Sequence, residues 1–400
     1  LIVANVSGLT FNDYIQKHIF DVLGMKNASF AEPLPPDLNA KMAKAYAYTA
    51  GRYDEQRYEI ISNFGPAGAA AVSAHDMSTF ARALLNGGAV DSKRILKEET
   101  LQQMIEGGFA HDPRVRGMGL GFLKRRFGPV DFENFGHDGG TSRFVSHLGM
   151  SQKEDFMLFS SFSGPGMRQT HEAFVKSFYD EFFPSGVAVV TPPADFAERG
   201  KRYEGTYNSW RSSFTKIESL LRLSGGMKVT ALPDNTLTIA GKRYVEVENN
   251  LFREMDDYGR IAFQEDANGE IVGFVIDGFG VMQLYKAPFY ETPAFTVSLV
   301  GLSLLGFVGI FLRLAYQWSE FRTLEGAEQK AFFASIYVAV ANYLFFIFAS
   351  VGVSGGLISL MYNLPITLKI ALFFPMLATL AALYHVYCAV QVWRQSALVS

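Results

Sequence analysis

Cysteine is almost absent from this sequence, and that absence excludes two kinds of protein. Cys388 is the only cysteine among the 400 residues. A single cysteine excludes an internal disulfide framework and a zinc site built from several thiolates. Cysteine usage therefore does not indicate the redox compartment, which has to be predicted from the topology of the chain.

A large net charge is absent as well. The formal net charge is −3, and the one basic cluster, Lys124–Arg126, lies between strand-like segments. No basic face is predicted that could neutralise a run of phosphates, so a nucleic acid is not expected as a partner. Disorder is excluded too, because 49% of the residues are hydrophobic and 14% are aromatic, a composition sufficient for two or three domains with cores.

A leader segment is also missing from the start of the sequence. The first residue is Leu1 rather than Met, and no positively charged segment precedes an apolar run. Residues 1–8 already have the pattern of the middle of a packed element. We therefore expect the N-terminus to be truncated.

What is present over residues 1–184 predicts helices, then strands, then a final helix. Thr10 and Asp13 have the spacing of a capping box, and so do Ser73 and Asp76. Each pair precedes apolar residues at helical spacing, so each marks the start of an amphipathic helix. The segments that follow are predicted to be three adjacent antiparallel strands and a last helix: Met118–Leu123, Asn134–Met150, Asp155–Phe162 and Thr170–Phe183.

The composition changes after this region. Residues 185–200 are predicted to be a linker, because proline, glycine and small residues are concentrated there. Over residues 201–288, turn signals recur between short alternating strands, which is typical of a small antiparallel sheet or barrel. The turns are Pro233–Asn235, Asp256–Gly259 and Asp266–Gly269.

Three long runs without Asp, Glu, Lys or Arg follow Pro293. They are Ala294–Leu312, Ala331–Leu368 and Ile370–Trp393. A helix needs about 20 apolar residues to cross the hydrocarbon core of a bilayer, so we predict three transmembrane helices over residues 293–400. The alternative, buried helices in a soluble protein, is disfavoured because three such runs leave no polar face for water.

The distribution of basic residues predicts the orientation. Arg313, Arg322 and Lys330 lie between the first and second runs. Arg394 follows the third run, whereas the loop after the second run has neither Lys nor Arg. Because basic residues mark cytoplasmic loops, everything before the first run is predicted to be extracytoplasmic, that is, periplasmic or on the outer face. Lys369 is the exception, and we expect it to snorkel at the outer interface. The predicted localisation is the cell membrane, as a multi-pass protein.

The most informative stretch is Phe-Gly-His-Asp-Gly-Gly-Thr at residues 135–141, where a strand is predicted to begin. Glycine has no Cβ, so a ligand or another backbone can approach such a strand edge closely. Taken alone, His137 is more simply explained as a solvent-facing histidine in a hairpin. The order of motifs along the chain supports a functional interpretation instead.

Four motifs in order resemble the β-lactamase and penicillin-binding superfamily, particularly its class C, esterase and D-aminopeptidase branch. They are Phe11–Phe30 with its Leu-Gly-Met turn, Pro66–Gly88 with its glycine-rich loop and helix, Gly119–Phe122, and His137–Thr141. The resemblance extends from Leu1 to about Phe183. It implies an α+β fold class, with the C-terminal part of a β-lactamase-like serine hydrolase domain over residues 1–184.

The resemblance also implies roles for four residues. His137 falls where other branches carry the Lys of a Lys-Thr-Gly motif, so it would orient a catalytic tyrosine or lysine and meet a substrate carboxylate. The backbone N–H of Gly140 would be one of two donors facing the developing oxyanion. Gly139 would keep the strand edge clear, and Thr141 would form a hydrogen bond with the substrate.

Residues 201–288 resemble the lipocalin-like accessory domain that follows some of these hydrolases. Two roles stay open for this domain. One is a ligand-binding barrel, and the other is a spacer that packs over the active site.

The nucleophile motif of the family is not found where it is needed. Neither Ser-x-x-Lys nor Tyr-x-Asn occurs before His137, although the family requires both for acyl-enzyme chemistry. Ser213 and Lys216 have the Ser-x-x-Lys spacing, but they follow His137 and lie in the accessory region, so we reject this match. We expect the truncation to lie just beyond Tyr-x-Asn and this chain alone to be inactive.

The resemblance implies a membrane-anchored extracytoplasmic serine hydrolase that transfers the acyl group of an ester, amide, D-amino-acid peptide or β-lactam. No cofactor or metal is expected. The expected partners are a small-molecule or peptidoglycan-like peptide substrate and the membrane, and the oligomeric state stays open. The alternative is a non-catalytic peptidoglycan-binding or signalling membrane protein with a hydrolase-like ectodomain. A transport-associated subunit is a third possibility.

Overall fold

The computed structural model divides the chain into two compact units, Leu1–Thr292 and Pro293–Ser400. It describes all residues except 62–63, 130–131, 185, 187–188, 216–218, 220–221, 223–224, 355–363 and 398–400. The described part is a mixture of helix and sheet, with a helix-and-sheet domain, an antiparallel barrel and three long apolar helices.

The first unit contains nine of the α-helices that we label here. They are α1 (Ile2–Ser7), α2 (Phe11–Ile15), α3 (Asp21–Leu23), α4 (Pro36–Asn39), α5 (Gly65–Gly68), α6 (Ala74–Leu85), α7 (Glu98–Glu106), α8 (Arg168–Phe182) and α9 (Phe196–Arg199). A π-helical turn, Gln16–Phe20, joins α2 to α3, and a 3₁₀ turn, Gly200–Tyr203, follows α9.

The strands of the first unit form several small sheets and one barrel. The short ones are β1 (Ala28–Ser29), β2 (Ala45–Thr49), β3 (Arg52–Gln56), β4 (Ala71–Val72), β5 (Ala89–Val90) and β6 (Lys93–Arg94). The three-stranded sheet consists of β7 (Phe135–Gly140), β8 (Phe144–Ser151) and β9 (Phe156–Ser163). The barrel consists of β10 (Gly205–Ser209), β11 (Met227–Ala231), β12 (Leu237–Ile239), β13 (Lys242–Glu248), β14 (Leu251–Glu254), β15 (Arg260–Glu265), β16 (Ile271–Ile276) and β17 (Gln283–Lys286).

Both predicted helix starts are confirmed by their capping hydrogen bonds. Thr10 Oγ1 accepts from the backbone N–H of Asp13 at 3.1 Å, directly before α2. Ser73 Oγ accepts in the same way from Asp76 N at 3.2 Å, before α6. These side chains satisfy backbone donors that the first turn of a helix leaves unpaired.

The three-stranded sheet is packed between helices on both faces. On one face, Phe135 and Met150 form a buried cluster with residues of α6 and α7. On the other face, Leu158 packs against Val175 and Tyr179 of α8. Because side chains alternate along a strand, His137 and Gly139 share the face of Phe135, whereas Asp138 and Gly140 share the opposite face, toward α8.

The prediction of three strands has to be corrected in its boundaries. Met118–Leu123 is not a strand, since Met118 and Leu123 form only isolated bridges. The segment 134–150 is instead a hairpin of two strands, β7 and β8, joined by a turn at residues 141–143. The glycines of the first segment explain the first error, because Gly121 has a φ of 87°, which interrupts an extended strand.

The region predicted to be an antiparallel sheet or barrel is a closed eight-stranded barrel, in which β17 pairs with β10. Its interior is filled by nearly inaccessible side chains: Tyr203, Tyr207, Phe252, Phe263 and Phe274. Phe196 of α9 packs with them, so the end of the segment predicted to be a linker contributes to the barrel core. Such a filled interior is common in barrels of this size and favours the spacer alternative over a ligand-binding barrel.

The second unit contains α10 (Pro293–Tyr316), α11 (Trp318–Phe321), α12 (Gly326–Val353), α13 (Ile366–Ala371) and α14 (Phe373–Ala397). Three helical spans in it are long and apolar enough to cross a membrane: Pro293–Tyr316, Gly326–Val353 and Ile366–Gln395. Their number agrees with the three predicted. Asn342 Nδ2 donates to Val338 O at 2.8 Å, and His385 Nδ1 lies 2.8 Å from Ala331 O. Helix carbonyls therefore satisfy both polar side chains.

Candidate active site at the edge of strand β7

The outer edge of β7 is paired only at its beginning among the described residues. Leu123 N donates to Gly136 O at 2.8 Å, and Gly136 N donates to Leu123 O at 3.0 Å. Both polar backbone groups of Gly136 therefore point away from β8. Since these directions alternate along a strand, the N–H and C=O of Asp138 and Gly140 also point to this outer edge, where no further strand pairs with β7 in the described sheet.

The His137 side chain lies on the Phe135 face of β7 and is exposed. Its Nδ1 is 2.6 Å from the backbone oxygen of Asp138. A carbonyl oxygen only accepts, so Nδ1 carries a hydrogen. Nε2 is then the ring atom available to a ligand, as an acceptor in the neutral ring or as a donor in the protonated ring.

The two glycines after Asp138 allow close approaches on opposite faces of β7. A Cβ on Gly139 would lie 2.3 Å from Ser146 Oγ, and a Cβ on Gly140 would lie 2.6 Å from Arg168 Nη2. The guanidinium of Arg168, at the start of α8, thus stands directly beside the Gly140 backbone. The edge therefore combines an outward-facing N–H, an imidazole and a nearby cation.

Thr141 and Ser142 form the turn that follows this edge. Thr141 Oγ1 accepts from Arg143 N at 3.2 Å and from Phe144 N at 3.1 Å. Glu59 Oε2 accepts from Ser142 N at 2.8 Å and so fixes the turn from a distant segment. Because two backbone N–H groups already donate to Oγ1, the hydroxyl of Thr141 can itself donate a hydrogen bond to a ligand.

A buried polar network supports β7 on the face toward α8. Asp138 Oδ1 accepts from His147 Nδ1 at 2.7 Å, and the other carboxylate oxygen forms an ion pair with Arg125. Because Nδ1–H donates to the carboxylate, Nε2 is the acceptor of the neutral His147 ring, and it lies 3.4 Å from the Tyr179 hydroxyl. Asn134 Nδ2 donates to the same hydroxyl at 2.9 Å. With a neutral His147 ring, the chain of hydrogen bonds runs in one direction, from Asn134 through Tyr179 and His147 to Asp138.

The electrostatics of this network keep Asp138 charged. Burial alone would raise the pKa of Asp138, but the hydrogen bond from His147 and the charge of Arg125 hold the pKa well below its usual range. Burial also raises the pKa of the Tyr179 hydroxyl, so this group stays protonated as a donor. The carboxylate next to His137 is therefore a fixed negative charge through neutral and mildly acidic pH.

The structure brings the four predicted site residues onto one strand end, but the supporting residues were not predicted. Asp138, His147 and Tyr179 meet because the hairpin turn at residues 141–143 places 138 opposite 147. Arg125 belongs to the basic cluster Lys124–Arg126. Its proximity to the histidine motif was the signal available in the sequence.

Other candidate features lie away from this edge or are not described. A cavity of about 210 Å³ lies between α8 and the barrel and is lined by Lys176, Asp180 and Tyr258, among others, but not by His137. Lys216 of the rejected Ser-x-x-Lys match is outside the described residues. In the part of the chain that the structure describes, no group of three or more His, Cys, Asp or Glu residues could hold a metal ion.

Several solved structures resemble this chain in part. The D-amino acid amidase from Ochrobactrum anthropi SV3, complexed with L-phenylalanine amide, is 22% identical, with 44% of this chain and 52% of that chain covered and a TM-score of 0.35. SurE is 16% identical, with 72% and 65% covered and a TM-score of 0.44. Unliganded simvastatin synthase (LovD) from Aspergillus terreus is 16% identical, with 45% and 51% covered and a TM-score of 0.33. The chain thus spans between half and two thirds of the length of these proteins. No curated protein matches the chain.

The family assignment rests on a match to a family model. The model named Beta-lactamase matches residues 1–169, which include α1 to α7, the whole three-stranded sheet and the first residues of α8. His137, Gly139, Gly140 and Thr141 all lie within the matched range. Residues 1–169 of this chain therefore belong to the Beta-lactamase family.

Proposed function

We propose that the Beta-lactamase domain takes part in acyl transfer from an ester, amide, D-amino-acid peptide or β-lactam to water. The observation that carries this proposal is the open edge of β7, where Gly140 N–H points outward beside His137. A preorganised backbone donor aimed at the developing oxyanion is the largest single contribution in many acyl-transfer sites.

The proposed roles follow the geometry of the edge. Gly140 N–H is one oxyanion donor, and Gly139 keeps the strand edge clear of a side chain of its own. His137 Nε2 meets either the substrate carboxylate or the catalytic base, and the hydroxyl of Thr141 donates to the substrate. The nucleophile is a serine of a Ser-x-x-Lys motif, so the proposal concerns the protein in which such a motif accompanies this domain.

The proposed location is the cell membrane, with the Beta-lactamase domain and the barrel on the extracytoplasmic side. Two observations support this proposal. Three helical spans have the length and composition of membrane spans, and the basic residues Arg313, Arg322 and Arg394 lie at the ends predicted to be cytoplasmic.

Covalent labelling of the protein expressed from its complete reading frame tests the proposed function. We expect a fluorophosphonate or a fluorescent penicillin to attach to one serine of a Ser-x-x-Lys motif, with hydrolysis of a nitrophenyl ester or nitrocefin by the same preparation. A variant with that serine replaced by alanine is the control and is expected to remain unlabelled. Failure of both probes and both substrates with folded protein would contradict acyl transfer and support the non-catalytic peptidoglycan-binding or signalling alternative.

A further inference from the structure

The turn between β16 and β17 of the barrel is inserted against the Beta-lactamase domain. Gly278 N donates to Arg116 O at 2.6 Å, and His111 Nε2 lies 3.0 Å from Gly280 O. A Cβ on Gly278 would lie 2.9 Å from Lys124 O, and the residue has a φ of 72°. The two glycines therefore allow the turn to approach the segment 111–125 at backbone distance.

Phe279, between these glycines, reaches the network that supports the candidate site. The guanidinium carbon of Arg125 lies 5.6 Å from the centre of the Phe279 ring and 5.4 Å from that of Phe127. The same guanidinium forms the ion pair with Asp138, the residue directly after His137. A side chain of the barrel thus contacts the cation that fixes β7.

We propose that Phe279 is a positioning residue for the edge His137–Thr141 and that it acts through Arg125 and Asp138. The barrel then contributes to the geometry of the site and is not an independent module. The inference rests on the proposed function for its catalytic consequence, whereas its structural consequence depends on the geometry alone.

The effect of Phe279 depends on the rotational freedom of the Arg125 side chain. This side chain is 35% exposed, and a long cation at a partly exposed position loses entropy when it is held in one rotamer. Contacts with two aromatic rings favour the rotamer that faces Asp138. Without the Phe279 ring, Arg125 samples solvent, the carboxylate of Asp138 is held by His147 alone, and the peptide groups beside His137 gain freedom.

The test compares Phe279→Ala with the unchanged protein, expressed from the complete reading frame and labelled with ¹⁵N-histidine. The readout is the solvent exchange of the His147 Nδ1 proton, which is shielded by its bond to Asp138. We expect exchange to be roughly tenfold faster in the variant, which corresponds to a cation–π contribution of about 1.4 kcal/mol. Phe279→Trp should preserve slow exchange, because tryptophan retains the ring interaction.

Two further variants distinguish the effect of the aromatic ring from a folding defect and from a general effect of changing the turn. Phe279→Leu keeps apolar volume without an aromatic ring, and it decides the question if Phe279→Ala does not fold. Val281→Ala, at an exposed position of the same turn, should leave the His147 signal unchanged. Unchanged exchange in Phe279→Leu, or equal acceleration in Val281→Ala, would overturn the inference.

The rate of fluorophosphonate labelling in the same variants gives the catalytic consequence. We expect Phe279→Ala to label about tenfold more slowly and Phe279→Trp to label at the original rate. If the unchanged protein does not label at all, the proposed function fails, and the His147 exchange measurement still decides whether Phe279 positions β7.

Discussion

Replacing Gly140 with proline is expected to slow acylation of the complete protein by about 100- to 1,000-fold, the usual effect of losing one oxyanion donor. Proline removes the backbone N–H and nothing else that the sheet needs, because this N–H faces the open edge and proline is tolerated at such an edge. Gly140 is not among the glycines with positive φ, so its φ has the sign that proline requires.

Gly140→Ala is the matched control for this substitution. The new Cβ meets Arg168 Nη2, the flexible tip of a side chain that is 67% exposed, and proline displaces it in the same way. Alanine keeps the N–H, so Gly140→Ala should acylate at close to the original rate. Second-order rate constants for fluorophosphonate labelling of the two variants measure the difference. Equal rates in both would exclude Gly140 N–H as an oxyanion donor.

Replacing Asp277 with alanine is expected to destabilise the contact between the barrel and the Beta-lactamase domain by about 3–5 kcal/mol, as for other buried ion pairs that lose one partner. The Asp277 side chain is 2% exposed and accepts from Arg126 Nε at 2.9 Å. It also accepts from Arg116 N at 2.5 Å. Burial lowers the pKa of Arg116, the charge of Arg126 lowers it further, and Asp277 opposes both. Without Asp277, positive charges remain buried together.

Hydrogen exchange of the whole chain, measured by mass spectrometry, shows which segments lose stability in this variant. We expect faster exchange in residues 109–126 and in β7, but not in the barrel strands, whose aromatic core does not depend on Asp277. The control is Asp234→Ala, which removes an ion pair with Arg243 whose side chains are 49% and 45% exposed and should cost at most about 1 kcal/mol. A similar small effect for Asp277→Ala would contradict a structural role for the contact.

The helices and the barrel were largely predictable because their signals are local. The capping hydroxyls of Thr10 and Ser73 are followed by apolar residues at helical spacing, and these signals involve only near neighbours in the sequence. The turns of the barrel region and the uncharged runs after Pro293 are equally local. A pattern of this kind needs no information about distant parts of the chain.

The supporting network could not be predicted in the same way, because it depends on the register of a hairpin. Asp138 meets His147 only if the turn lies at residues 141–143, whereas the sequence pattern over 134–150 predicts one continuous strand. Shifting a register by one residue moves every side chain to the other face. Once the hairpin is placed, the pairing of Asp138 with His147 follows directly.

The role of the barrel was open for a related reason. Asp277 lies 151 residues after Arg126, and no periodicity in either segment links the two. Composition indicated a small barrel, but only the packed structure shows that its β16–β17 turn contacts the cluster Lys124–Arg126. Contacts between domains are specified by surface complementarity, which a single sequence does not reveal.

The proposed function requires that the open edge of β7 receives the oxyanion of an acyl-transfer reaction. A crystal structure of the protein from its complete reading frame, with a boronic acid bound to the nucleophilic serine, measures this directly. We expect a boronate oxygen about 2.7–3.1 Å from Gly140 N, with the His137 ring lining the same cleft. A boronate whose oxygens contact neither Gly140 N nor the β7 edge, with His137 directed away from it, would contradict the proposed role of this edge.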